Sequence, residues 1–149
     1  MTNLYRIGWL LAMLLLSARL YAGDIRVENA WARATAPGQD AAGVDLTITS
    51  KQAATLVGVS SPIARTAALH SMKEVNGMMR MREVESIELP AGKPMNLRES
   101  GYHLMLTGLK ATLKDGETVP LMLRIKVGKQ GVVKLETRVA VRSLHATTE

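Results

Sequence analysis

Ala67-Ala68-Leu69-His70-Ser71-Met72-Lys73-Glu74-Val75-Asn76-Gly77-Met78-Met79-Arg80-Met81-Arg82-Glu83-Val84 is the stretch from which the fold is read. Asn-Gly between two strand-like runs is a strong hairpin signal, because both central residues of the tight turn take positive φ. Residues 67–72 and 79–84 are therefore predicted to pair as antiparallel strands. On a strand, residues i and i+2 point to one face, about 6.5 Å apart. His70 and Met72 then project together, and so do Met79 and Met81. The two pairs face each other across the hairpin. His103-Leu104-Met105 repeats the His-x-Met spacing further on. Its middle residue, Leu104, points the opposite way and anchors that strand in a core.

Outward from the hairpin, the chain alternates in the same manner. In 43–50, Val44, Leu46 and Ile48 share a face. Residues 55–59, 102–106, 119–127 and 132–141 are similar runs rich in Val, Leu, Ile and Thr. Turn chemistry separates them: Ala36-Pro37-Gly38, Ser61-Pro62, Pro90-Ala91-Gly92, Ser100-Gly101, Asp115-Gly116 and Gly128-Lys129-Gln130-Gly131. Seven or more short strands at this spacing predict an all-β antiparallel sandwich or barrel of Greek-key type in a single domain. No long stretch has a helical period. Trp31 reads as a core residue beneath the 33–39 loop, with a binding surface as the alternative.

Arg6 precedes an apolar run from Ile7 to Leu16, and Ala22 is a small residue at a plausible cleavage point, although Leu20 and Tyr21 before it make an imperfect cleavage site. This is the pattern of a cleaved export signal over residues 1–22. The run is short for a membrane span, and Arg19 interrupts it. The domain is then expected over 23–142, with a frayed polar tail over 143–149. Without Arg6 and Arg19, 17 basic side chains face 13 acidic ones, a net charge of +4. They are dispersed, and after residue 22 the aromatics are Trp31 and Tyr102, too few for nucleic-acid stacking. No membrane span is expected in the mature form.

The chain has no cysteine and nine methionines. An exported domain of this kind has no disulfide framework and relies on its core. Imidazole with thioether, without thiolate, is the donor set of a soft monovalent ion, and Cu(I) fits it. Thioethers do not form disulfides in an oxidising compartment, although they do oxidise to sulfoxides. A blue-copper electron carrier needs a Cys thiolate beside two His, so the lack of cysteine weighs against it. No Gly-x-Ser-x-Gly elbow or triad context is present, and Ser71 points away from His70, so no enzyme is expected.

Four of these donors carry a resemblance. His70 and Met81 are separated by ten residues, Met81 and His103 by twenty-one, and His103 and Met105 by one. Asn29-Ala30-Trp31-Ala32-Arg33, Ile87-Glu88-Leu89-Pro90-Ala91-Gly92 and Gly101-Tyr102-His103-Leu104-Met105-Leu106 accompany them. Over about residues 25–142 the chain resembles the periplasmic copper(I) chaperones with the PCuAC domain. These are associated with assembly of the binuclear copper centre of cytochrome c oxidase. The resemblance implies a cupredoxin-like β-barrel and an exposed Cu(I) site of His70, Met81, His103 and Met105. Met72 and Met79 are nearby extras that could help capture or hand over the ion. It also implies a periplasmic location and an acceptor partner, an oxidase subunit or another assembly chaperone. The alternatives are general periplasmic copper handling or tolerance, and a metal-free interaction module. Cu(II) binding through His145 and the new N-terminal amine is a further open point. Gly43-Val44-Asp45-Leu46 lacks the aromatic usual in that family, which is expected to alter core packing or a flanking surface.

Overall fold

The computed structural model describes residues 24–143. The expected leader over 1–22, and His145 in the tail, lie outside the described residues. Of the tail, Ser143 is described, and its N–H donates to Asp115 Oδ1 at 3.0 Å.

Ten strands follow in order: β1 Ile25–Arg33, β2 Ala41–Ser50, β3 Ala54–Ser60, β4 Ala64–Val75, β5 Met78–Val84, β6 Ile87–Leu89, β7 Met95–Asn96, β8 Tyr102–Leu109, β9 Thr118–Val127 and β10 Val132–Arg142. They form one sheet in the order β5-β4-β8-β2-β1-β10-β9-β3-β6, with β7 paired to β2. The all-β single-domain expectation holds. All ladders are antiparallel except β1 with β10, which is parallel, with Trp31 opposite Ala140. That pair corrects the wholly antiparallel reading, because the first and last of the described strands lie side by side.

Alternation explains the core. Ala42, Val44, Leu46 and Ile48 of β2 are buried, as are Val119, Leu121, Leu123, Ile125 and Val127 of β9. Leu104 and Leu106 of β8 join them. Each Leu or Ile fully buried there stabilises the fold by about 1.5–3 kcal/mol relative to exposure. β1, β6 and β7 were not anticipated. A shift in register between Glu28 and Trp31, at Asn29 with φ of 53°, breaks the period of β1. β6 and β7 have three residues and two, too few to show one.

The Asn76-Gly77 hairpin forms as predicted. Val75 pairs with Met78, and both turn residues have positive φ, 53° and 75°. These are the signs of a type I′ turn. From Met72 to Glu83 the ribbon extends past the core, and every residue of β5 before Val84 is exposed.

Candidate metal centre

β8 lies between β4 and β2 in the sheet, and that neighbourhood builds the site. Leu104 is opposite Leu69 on one side and Val44 on the other, and all three are buried. With Leu104 turned inward, His103 and Met105 turn outward. His70 is directly opposite His103, and Met72 is directly opposite Met81. Opposed residues share a face, as do residues i and i+2. His70, Met72, Met81, His103 and Met105 therefore occupy one outer face of three adjacent strands. The imidazole rings meet edge to face, with centroids 5.5 Å apart. Met79 is set apart from them, opposite Glu74 at the turn end of β5 and 65% exposed.

The electrostatics of the rings are unusual. Nδ1 of His70 and Nδ1 of His103 are both buried without a hydrogen-bond partner. Leaving such an atom unsatisfied costs about 1–3 kcal/mol, so it calls for a reason. A bound metal ion would supply one, because a neutral imidazole nitrogen can offer its lone pair to an ion. Burial holds the His103 pKa below the usual histidine value, and the neighbouring His70 pushes it the same way. Asp45 opposes both.

Folding thus favours the neutral His103 ring. In the metal-free protein the unfolded chain takes up this proton near the ordinary value of 6.5, and the folded chain does so at lower pH. Stability present above 6.5 is therefore lost as pH falls from there through the folded value. NMR titration of metal-free protein is expected to show His103 titrating below 6.5, and lower still in Asp45→Asn. A His103 resonance that titrates at or above 6.5 contradicts the assigned environment.

Carboxylates come closer than the donor pattern suggested. Glu83 is directly opposite His70, and Asp45 acts on His103. Among the described residues, however, no group of three or more His, Cys, Asp and Glu side chains is placed to hold a metal. The side chains that share the face with the two imidazoles are the thioethers of Met72, Met81 and Met105.

Trp31 is not in the core. It is half-buried on the outer face, opposite Asp45, and Ala32 is the residue that turns inward. The bulge in β1 sets this parity. The Arg142 guanidinium sits 5.7 Å from the Trp31 ring centroid, a cation–π contact. A cleft of about 440 Å³ runs from Trp31, Arg33 and Arg98 to Met72, His103 and Met105. Val44 and Leu46 fill the core, whereas Gly43 faces outward, and a Cβ there would lie 3.8 Å from His103 Cδ2.

The match to known proteins agrees with this architecture. The family model described as "Putative lipoprotein LpqE-like" matches residues 25–137. A protein of Leifsonia xyli subsp. xyli, named "Putative lipoprotein Lxx21020", is 34% identical over 118 residues, covering 78% of this chain and 71% of that protein. The apo PCuAC domain from PmoF1 superposes with a TM-score of 0.65 at 22% identity, over 82% of this chain and 96% of that domain. The solution structure of Cu(I)-DR1885 from Deinococcus radiodurans gives 0.62 at 30% identity, over 86% and 87%. The chain has the fold of the PCuAC domains, and it belongs to the LpqE-like family.

Proposed function

We propose that this protein is an exported Cu(I) carrier that binds one ion through His70, Met81, His103 and Met105 and passes it to a cuproprotein. The observation that carries this reading is the pair of buried, unpartnered Nδ1 atoms on the same sheet face as the thioethers. Two imidazoles and two thioethers are neutral and soft, a set that selects Cu(I) over Zn(II) by ligand type. DR1885, 30% identical, has been solved in a Cu(I) form. The lipoprotein name of the Leifsonia relative supports export, and the periplasm is the compartment implied by the sequence resemblance.

Delivery follows from unequal exposure. Met81 is 54% exposed on the overhanging ribbon, whereas Met105 is half-buried beside Gly43. Met81 is the ligand an incoming donor displaces first, with the imidazoles retaining the ion meanwhile. Met72, opposite Met81 and lining the cleft with His103, is placed to take its position briefly. A partner that offers thiolates then draws the ion away by ligand exchange, with copper remaining Cu(I) throughout. The binuclear copper centre of cytochrome c oxidase is the recipient implied by the sequence resemblance. The role is binding and transfer, not catalysis.

X-ray absorption on the Cu(I) form tests the donor set. Two nitrogen and two sulfur neighbours are the expected shell. A shell without sulfur overturns the proposal.

A further inference from the structure

The β4–β5 ribbon has a second face, opposite the one that carries His70 and the methionines. There the ladder sets Ser71 opposite Arg82, Lys73 opposite Arg80 and Val75 opposite Met78. Alternation makes this the continuation of the face that turns Leu69 into the core. Full burial on this face stops at Leu69, because the ribbon has extended past the core, and Val75 and Met78 near the turn are exposed. Cations stand where further core residues would otherwise be. Ser71, Lys73, Val75, Arg80 and Arg82 line a hollow of about 310 Å³.

Lys73, Arg80 and Arg82 are all exposed, and the ion pairs found among the described residues, Arg26–Glu28 and Lys51–Asp24, use none of them. Glu74 and Glu83, the acids of the ribbon, belong by alternation to its other face. Like charges directly opposite each other on a ladder are destabilising, as Lys73 and Arg80 are here. β5 is also the terminal strand of the sheet path, so among the described residues its outer edge has no neighbouring strand.

We propose that this cationic face docks an acidic, extended segment of a partner protein, laid along the β5 edge with its carboxylates against Lys73, Arg80 and Arg82. An extended peptide takes up the free backbone donors and acceptors of an edge strand, and its alternate side chains reach one face of the ribbon. A lipid headgroup takes up neither. Basic segments that hold anionic membranes also cluster more cations, about four to eight, than the three present here. Inward-pointing charge is a known device against edge-to-edge aggregation, and that separate role predicts a different outcome in the same experiment. The docking face needs no metal, so its test stands apart from the copper reading.

The test uses metal-free protein and, as probe, a synthetic peptide of alternating Glu and Thr about ten residues long, enough to span β5. Calorimetry is expected to show binding that weakens with salt, and NMR shifts confined to residues 71–75 and 78–84. Lys73→Gln/Arg80→Gln/Arg82→Gln should weaken it about tenfold, the combined effect of three exposed ion pairs. Lys126→Gln/Lys134→Gln/Arg138→Gln removes the same charge from exposed positions of β9 and β10 and should leave affinity unchanged. Lys73→Glu/Arg80→Glu/Arg82→Glu should instead bind a Lys/Thr peptide. Equal losses in the two glutamine triples overturn the proposal by showing general charge attraction. So does self-association of the ribbon triple with peptide affinity intact, or binding to phosphatidylglycerol vesicles with none to the peptide.

Discussion

His103→Ala is expected to weaken Cu(I) binding by at least about a hundredfold, or about 2.7 kcal/mol, while the metal-free fold keeps its stability. Loss of a group that merely supports a metal ligand already costs 10–100-fold in many sites, so loss of a ligand starts at the upper end of that range. The second half of the expectation is the more diagnostic. In the metal-free protein Nδ1 of His103 is buried with no partner, and burial together with His70 disfavours its charged form. Alanine removes an unsatisfied polar atom and leaves Leu104 in the core. Unfolding in urea should therefore show a midpoint no lower than wild type at pH 7, while a Cu(I) competition titration shows the loss. Met72→Ala, which removes a thioether outside the proposed set of four, should change affinity only a few-fold. Equal Cu(I) affinity in wild type and the His70→Ala/His103→Ala double variant would falsify the proposed site.

That separation reflects how the sequence encodes the two functions. The shared face of these side chains was legible because strand parity is local. His70, Met72, His103 and Met105 needed only the i, i+2 rule, and Asn76-Gly77 gave the turn. The same turn also determines the ladder. Counting from Val75 opposite Met78 puts Met72 against Met81, Met79 against Glu74, and His70 against Glu83. The Glu83 carboxylate beside His70 and the remoteness of Met79 were thus readable, although the donor pattern alone did not reveal them. Other parts of the site were not readable in this way. β4 pairs with β8 and β8 with β2, partners distant along the chain. Nothing local specifies those neighbours, so the influence of Asp45 on His103 and the cleft that reaches Trp31 emerge only in the folded sheet. Trp31 was misplaced for a smaller reason. One irregular residue, Asn29 with positive φ, reverses the parity of β1 and sends Ala32 inward in its stead.

Leu104→Ala should do the reverse of His103→Ala, although the two residues are adjacent. Leu104 is fully buried and packs into the seam where β8 meets β4 and β2, with Leu69 and Val44 opposite it. Truncation there loses transfer energy and leaves a cavity that the flanking strands close only partly. The expected cost is about 2.7–5 kcal/mol. Against a total of about 5–15 kcal/mol for a domain, that is a large share. For a chain of this size it lowers Tm by about 10–20 °C, at roughly 4 °C per kcal/mol. The outer face is reached only through the backbone of β8, so Cu(I) affinity measured well below the new Tm should stay within a few-fold of wild type. Differential scanning calorimetry and the same competition titration check the two halves. A Tm within about 3 °C of wild type would mean that the seam repacks freely around the smaller side chain, contrary to the closely packed β8 core described above. Intact stability with lost affinity would mean that Leu104 acts on the imidazoles directly. The opposed pair of outcomes is the physical content of alternation in this strand. Residue 104 holds the sheet together, and residues 103 and 105, one step to either side, are left free to hold an ion.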